Sequence, residues 1–331
     1  VTRNEFEADY DRIVGSSSVR RLQDKAQVFP LQKNDFVRTR LTHSMEVSAI
    51  ARSLAKTVGM SLEKNGEFKR EDTEKLMGML QTAGLIHDLG NPPFGHYGET
   101  VIRNWYKEVV LKEKKEHDPH YKMKQEDYDF LYFDGNVQNL RIVTKLQTLN
   151  DQYGANFTYG TLATIIKYPY NSVNSKNEKN KFGYYKSEED IINKIWYKTG
   201  LKEGVRHPAT FLLEAADDIV YICDDIEDGV KKGYIPWFKE YDNLEKEFGT
   251  EEKYAEIFGN LKAIQLNKDM TEEERILTHV RLFRNFVQGY LIKSAVKCFL
   301  NEYDKIMNGQ YELNDLLKND EKLIKKMKKI S

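Results

Sequence analysis

Four residues carry the strongest chemical signal in this sequence: His43, the adjacent pair His87-Asp88, and Asp217. Two imidazoles and two carboxylates form a mixed nitrogen and oxygen donor set, suited to manganese, iron, cobalt, nickel or zinc and tolerated by magnesium. Such a set leaves coordination positions open for water and an oxyanion, the arrangement in which a divalent cation polarises a phosphoryl group. A lone histidine on an apolar helix face is usually a hydrogen-bonded core residue, so the weight lies in the combination.

Three helices must bring these residues together. Val47, Ile50, Ala51, Leu54 and Val58 make one apolar stripe after Thr42, and His43 lies on it. A second helix is predicted from about Asp72 to Leu89, with His87 and Asp88 in its last turn before Gly90-Asn91-Pro92-Pro93 stops it. A third starts at His207-Pro208 and carries Leu213, Asp217, Tyr221 and Asp225 at intervals of four until Gly229. Each ligand thus comes from a different helix, as in sites built inside helical bundles. His96 and Glu99, three apart on a helix entered through Gly95, form a second unit. There the carboxylate can fix the imidazole's tautomer and raise its basicity.

The chain as a whole reads as all-α, with at most a small hairpin near Phe182–Lys186. At 331 residues, 40% of them hydrophobic, it can bury one large core or two modest ones. A catalytic region is expected over residues 1–235, with surface insertions or mobile loops at 107–135 and 171–181. Helices of residues 236–331 would pack on that core or on a neighbouring subunit. The Lys-rich end from Lys322 to Lys329 places Leu323, Ile324, Met327 and Ile330 at helical spacing, so it reads as an amphipathic helix. The opening at Val1 rather than Met suggests part of a longer protein. Basic and acidic side chains balance at 51 and 52, which excludes a global field attracting nucleic acid. The 20 tyrosines are scattered rather than interleaved with a basic stripe, so single-stranded DNA is carried only as a secondary partner. Only Cys223 and Cys298 occur, outside any CxxC pair, and no leader or spanning segment is evident; a cytoplasmic setting without membrane contact is expected.

Longer motifs surround the candidate ligands. Arg40-Thr-x-His43, then His87-Asp88-Leu-Gly-Asn-Pro-Pro-Phe-Gly-His96-x-Gly-Glu99, then Glu214-Ala-Ala-Asp217-Asp218-Ile follow in order. Together with Ser18–Pro30, Asp134-Gly-Asn-Val-Gln138, Lys167-Tyr-Pro169 and Lys181-Phe-Gly183, they resemble the deoxyguanosine triphosphate triphosphohydrolase family of HD-domain proteins across most of the chain. The resemblance implies an HD helical bundle that hydrolyses deoxynucleoside triphosphates, dGTP among them, to deoxynucleoside and inorganic triphosphate. It implies that His43, His87, Asp88 and Asp217 hold a divalent ion, which the donor set leaves as manganese, magnesium or another first-row transition metal, and that His96 and Glu99 are a catalytic pair. The choice of Asp217 over Asp218 follows the family pattern, in which the ligand precedes a tyrosine by four residues and an aspartate by eight. Helical geometry agrees, since Asp218 points roughly 100° away from the shared face.

The preferred role for His96 is general acid toward the departing 5′ oxygen, with a role as base toward water left open. Arg40 would present a fork to phosphate and Lys181 a second phosphate contact. By resemblance Gln27 and Val28 touch the nucleoside, Gln27 and Asp225 bond the 3′ hydroxyl, and Tyr221 packs at C2′, where it would exclude a ribose hydroxyl. Asn136, Lys167 and Tyr168 are further pocket candidates. The family also implies a homo-oligomer and an allosteric dNTP. The competing expectations are an HD phosphohydrolase on another nucleotide, such as a 5′-nucleotidase or alarmone hydrolase, and a nucleotide- or DNA-binding scaffold with vestigial activity.

Overall fold

The computed structural model describes residues 3–27, 29, 37–147, 153–175, 180–311 and 315–331. Two short helices open the chain, α1 (Glu5–Val14) and α2 (Ser17–Arg20), each started by a side-chain oxygen that accepts from first-turn amides. An isolated bridge between Ala26 and Thr39 leads into α3 (Arg40–Lys64). This helix starts ahead of its apolar stripe because Thr39 and Thr42 cap each other reciprocally, so His43 sits in the first turn.

The next helix, α4 (Arg70–Ile86), runs antiparallel to α3 and ends at His87. Gly84 lets the two backbones approach: a Cβ there would lie 2.7 Å from the Cα of Ser48. The Ser48 hydroxyl donates to the Gln81 carbonyl at 2.6 Å across the same seam. The start of α3 is thereby held beside the end of α4, and the rings of His43 and His87 come within 5.4 Å of each other.

A peripheral set follows: α5 (Gly95–Trp105), α6 (Leu111–His117), α7 (Gln125–Leu131), α8 (Gly135–Arg141), α9 (Tyr159–Thr164) and α10 (Glu189–Thr199). Of the two readings of residues 107–135, surface insertion or mobile loop, the loop is corrected, since most of that stretch is helical. Its centre is a buried carboxylate rather than an apolar cluster. Asp127 accepts at 2.7 Å from Lys114, from the hydroxyls of Tyr106 and Tyr121, and from the amide of Lys124. Burial alone would raise the Asp127 carboxyl, but Lys114 and these donors hold it well below the usual carboxylate range. The fold is all-α, and the small hairpin allowed for near Phe182–Lys186 is not seen among the described residues. Gly183 donates to the Tyr170 carbonyl, Lys186–Glu188 is a 3₁₀ turn, and the described residues contain no strand.

The central element is α11 (Pro208–Lys231), whose Pro208 occupies the first helical position, where no amide partner is needed. Its apolar residues from Phe211 to Ile226 are almost fully buried, against α3, α4, α9 and the later helices. Those are α12 (Trp237–Phe248), α13 (Ala255–Ala263), α14 (Glu272–Asn301), α15 (Tyr303–Met307) and α16 (Glu321–Ile330). One apolar cluster extends from Ile13 to Met327, so the C-terminal helices share the core that carries α11. α16 sinks Leu323, Ile324 and Met327 against α11 and α12, each burial worth roughly 1.5–3 kcal/mol. No described helix is long and apolar enough to cross a membrane.

Candidate active site

Nε2 of His43 lies 3.1 Å from Oδ1 of Asp217, and Nε2 of His87 lies 3.4 Å from the same oxygen. The ligand atoms of these three residues all fall within 4.8 Å of one another. Donors about 2.1 Å from a common ion sit roughly 3.0–3.4 Å apart, so each imidazole stands at the spacing of an adjacent ligand from Asp217. The His87 ring is oriented by its other nitrogen, since Nδ1–H donates to the Gly84 carbonyl at 2.7 Å. That leaves Nε2 as the buried, unbonded donor atom, which fits a metal centre. Burial opposes a charge on this imidazole, yet Asp88 and Asp217 overcome it and push its pKa up to about 9. An incoming cation must displace that proton, so affinity for the ion is expected to weaken as pH falls below this value.

Asp88 stands beside the trio rather than within it. Its Oδ1 is 3.6 Å from His87 Nε2 and accepts from the Asn91 amide at 2.7 Å, while Oδ2 is held by Arg40. The loop bearing it is fixed from behind by two side chains. Lys25 donates to the carbonyls of Leu89 and Asn91 at 3.1 and 2.7 Å, and Asn139 donates to that of His87 at 3.1 Å. Gly90 is what permits this contact. A Cβ there would stand 2.0 Å from the Gly135 carbonyl oxygen at the start of α8.

At the far end of the same loop Phe94 takes a left-handed conformation, with φ 65°, and turns the chain into α5. The His96 ring, 90% exposed at its side chain, bonds through Nδ1 to Oε2 of Glu99 at 3.0 Å. Glu99 is buried and anchored, accepting from the Gly135 amide at 2.8 Å and from Arg103 at 3.2 Å. Its hydrogen bond to His96 raises that imidazole's pKa against the smaller effect of desolvation.

One cavity of about 660 Å³ collects His43, His87, Asp88, His96, Glu99 and Asp217. It is also lined by Gln27, Arg40, Asn136, Lys167, Tyr168, Lys181 and Tyr221. Asp225 does not line it; this residue sits beneath Tyr221, which is hydrogen-bonded to it, and burial lifts its pKa to about 6. Val28 lies outside the described residues. The guanidinium of Arg40 is already engaged by Asp88 and, at 3.0 Å, by the Ala26 carbonyl. Lys181 pairs with Asp134, and Lys167 lies 2.8 Å from Glu214. Sequence reasoning missed Lys25, Asn91 and Asn139, whose contacts to the ligand loop arise only in the folded chain. It also missed Lys328 and the exposure of Asp218 to the cavity.

Residues 40–130 match the HD domain family. The chain is 43% identical over 323 residues to a deoxyguanosinetriphosphate triphosphohydrolase-like protein of Listeria monocytogenes, covering 95% of this chain and 68% of that relative. The chain belongs to this family. A like-named protein of Pseudomonas aeruginosa is 40% identical over 328 residues, covering 93% of this chain and 68% of its own. A deoxyguanosinetriphosphate triphosphohydrolase of Serratia proteamaculans is 30% identical over 344 residues, covering 93% and 66%. As a family member the chain is a metal-dependent HD phosphohydrolase, and the trio of His43, His87 and Asp217 is a donor group of the kind such an enzyme needs.

Proposed function

We propose that this enzyme hydrolyses deoxynucleoside triphosphates to deoxynucleoside and inorganic triphosphate, with His43, His87, Asp88 and Asp217 around one divalent ion. The observation that carries this reading is the content of a single cavity: a candidate metal-binding trio, an anchored imidazole–carboxylate pair and four cations line one space of nucleotide size. When bound, the ion supplies Lewis acidity toward a phosphoryl oxygen and the attacking water. The name of the Serratia proteamaculans relative, a deoxyguanosinetriphosphate triphosphohydrolase, agrees with this chemistry.

The protein's own residues then divide the work. Arg40, Lys167 and Lys181 supply positive charge to the triphosphate, and the buried, unpartnered Oε1 of Gln27 is ready to accept from a sugar hydroxyl. Water attacks the α-phosphorus, the bond from phosphorus to O5′ breaks, and His96 passes a proton to the departing 5′ oxygen. Glu99 keeps His96 protonated and aimed, through a carboxylate that two further donors hold still. The defining test resolves the products of each dNTP with manganese or magnesium. Inorganic triphosphate is the expected product; orthophosphate or pyrophosphate instead would assign the site to a different nucleotide reaction.

Tyr221 faces the cavity with 40% of its surface exposed, braced by Asp225. A phenol packed at C2′ leaves no room for a ribose hydroxyl. Tyr221→Ala is therefore expected to raise kcat/KM for ribonucleoside triphosphates relative to their deoxy partners by about 10-fold to 100-fold. Unchanged discrimination between GTP and dGTP in that variant would move the selecting residue elsewhere.

A further inference from the structure

α16 brings to the cavity a lysine that the local sequence does not distinguish from its neighbours. Lys328 lines the space that holds His43, His87 and Asp217, and its Nζ lies 3.2 Å from Oδ1 of Asp218, 110 positions earlier. The helix that carries it is fixed by the burial of Leu323, Ile324 and Met327, so only the flexible four-carbon stem has freedom to move.

The other cavity cations are more enclosed. Arg40, Lys181 and Lys167 are 9%, 21% and 31% exposed at their side chains, each beside a carboxylate. Lys328 is 41% exposed, and its pair with Asp218 is the most open to water. Ion pairs of such exposure contribute little net stability, so exchanging one partner for another is cheap. A polyphosphate entering this cavity brings several negative charges past the adjacent carboxylates of Asp217 and Asp218. A mobile ammonium at that edge offsets the repulsion and gains a stronger, charge-assisted hydrogen bond.

We propose that Lys328 leaves Asp218 to bind a phosphate oxygen of the incoming nucleotide, which makes the C-terminal helix part of the substrate site. The proposal rests on the polyphosphate substrate argued above and adds a phosphate contact to it. It is tested on the full chain by calorimetric binding of inorganic triphosphate with manganese, and by dNTP kinetics. The variants are Lys328→Ala, Lys328→Gln, Lys328→Arg and Lys326→Ala, with melting curves for each. Lys326 shares the helix but pairs with Glu247 at 2.7 Å and does not line the cavity.

Lys328→Ala and Lys328→Gln are expected to weaken triphosphate binding and raise KM about tenfold, the scale of one charge-assisted contact, with kcat within about twofold. Lys328→Arg restores most of both, and Lys326→Ala matches the unaltered protein. Equal triphosphate affinity in the unaltered protein and the Lys328→Gln variant, or no triphosphate binding by either, overturns the proposal. Binding that depends on Lys328, without triphosphate release from any dNTP, sinks the substrate assignment and leaves the role of Lys328 standing.

Discussion

Asp217→Ala is expected to abolish metal binding and lower kcat/KM by on the order of 10³ or more, while the fold persists. The Oδ1 of Asp217 is the atom that both imidazoles face, at 3.1 and 3.4 Å, so it is shared by the whole trio. Its side chain is 37% exposed, and alanine suits the interior of α11. Elemental analysis should find metal in the unaltered protein and in Asp218→Asn, and little in Asp217→Ala, with similar far-ultraviolet circular dichroism for all three. Metal retained by the alanine variant at the original stoichiometry would remove Asp217 from the centre.

The second large effect lies in the His96–Glu99 pair. His96→Ala is expected to lower kcat by about 10²–10⁴, the usual worth of a positioned proton donor, with little change in metal content. Because donating a hydrogen bond to Glu99 raises the pKa of His96, the protonated imidazole persists above the ordinary histidine range. Activity that needs His96 as an acid is present below that raised pKa and declines as pH climbs through it. Glu99→Gln takes the raising influence away, so the alkaline limb of kcat/KM against pH should move to lower pH. If His96 serves as a base, the acidic limb moves instead. A profile with neither limb displaced would show that Glu99 acts only as an anchor for α5 and α8.

Much of this site was legible in the sequence, for reasons that differ from residue to residue. His43, His87 and Asp217 could be singled out because each lies in line with the apolar stripe of its helix, on α3, at the end of α4 and on α11, and the inward face is where a bundle collects ligands. The start of α3 carried no such signal, because the reciprocal cap of Thr39 and Thr42 lies upstream of that stripe. The segment around Asp127 escaped recognition for a deeper reason. Its packing centre is a carboxylate with four donors, and hydropathy patterns register such a segment as surface. Lys328 was illegible in principle, being one of several lysines on an amphipathic helix, and only the tertiary docking of α16 selects it. The engagement of Arg40 by Asp88 and Ala26 likewise depends on a close approach that no spacing encodes.

The donors of the trio stand on α3, on the end of α4 and on α11, with 174 positions separating His43 from Asp217. A captured ion is therefore a rivet joining regions that meet only after long-range assembly. It ties metal occupancy to the integrity of the whole bundle, since an unfolded chain offers these donors no common address. A growing polypeptide would remain catalytically silent until α11 had been made and docked, which makes any attack on nucleotides wait for tertiary assembly.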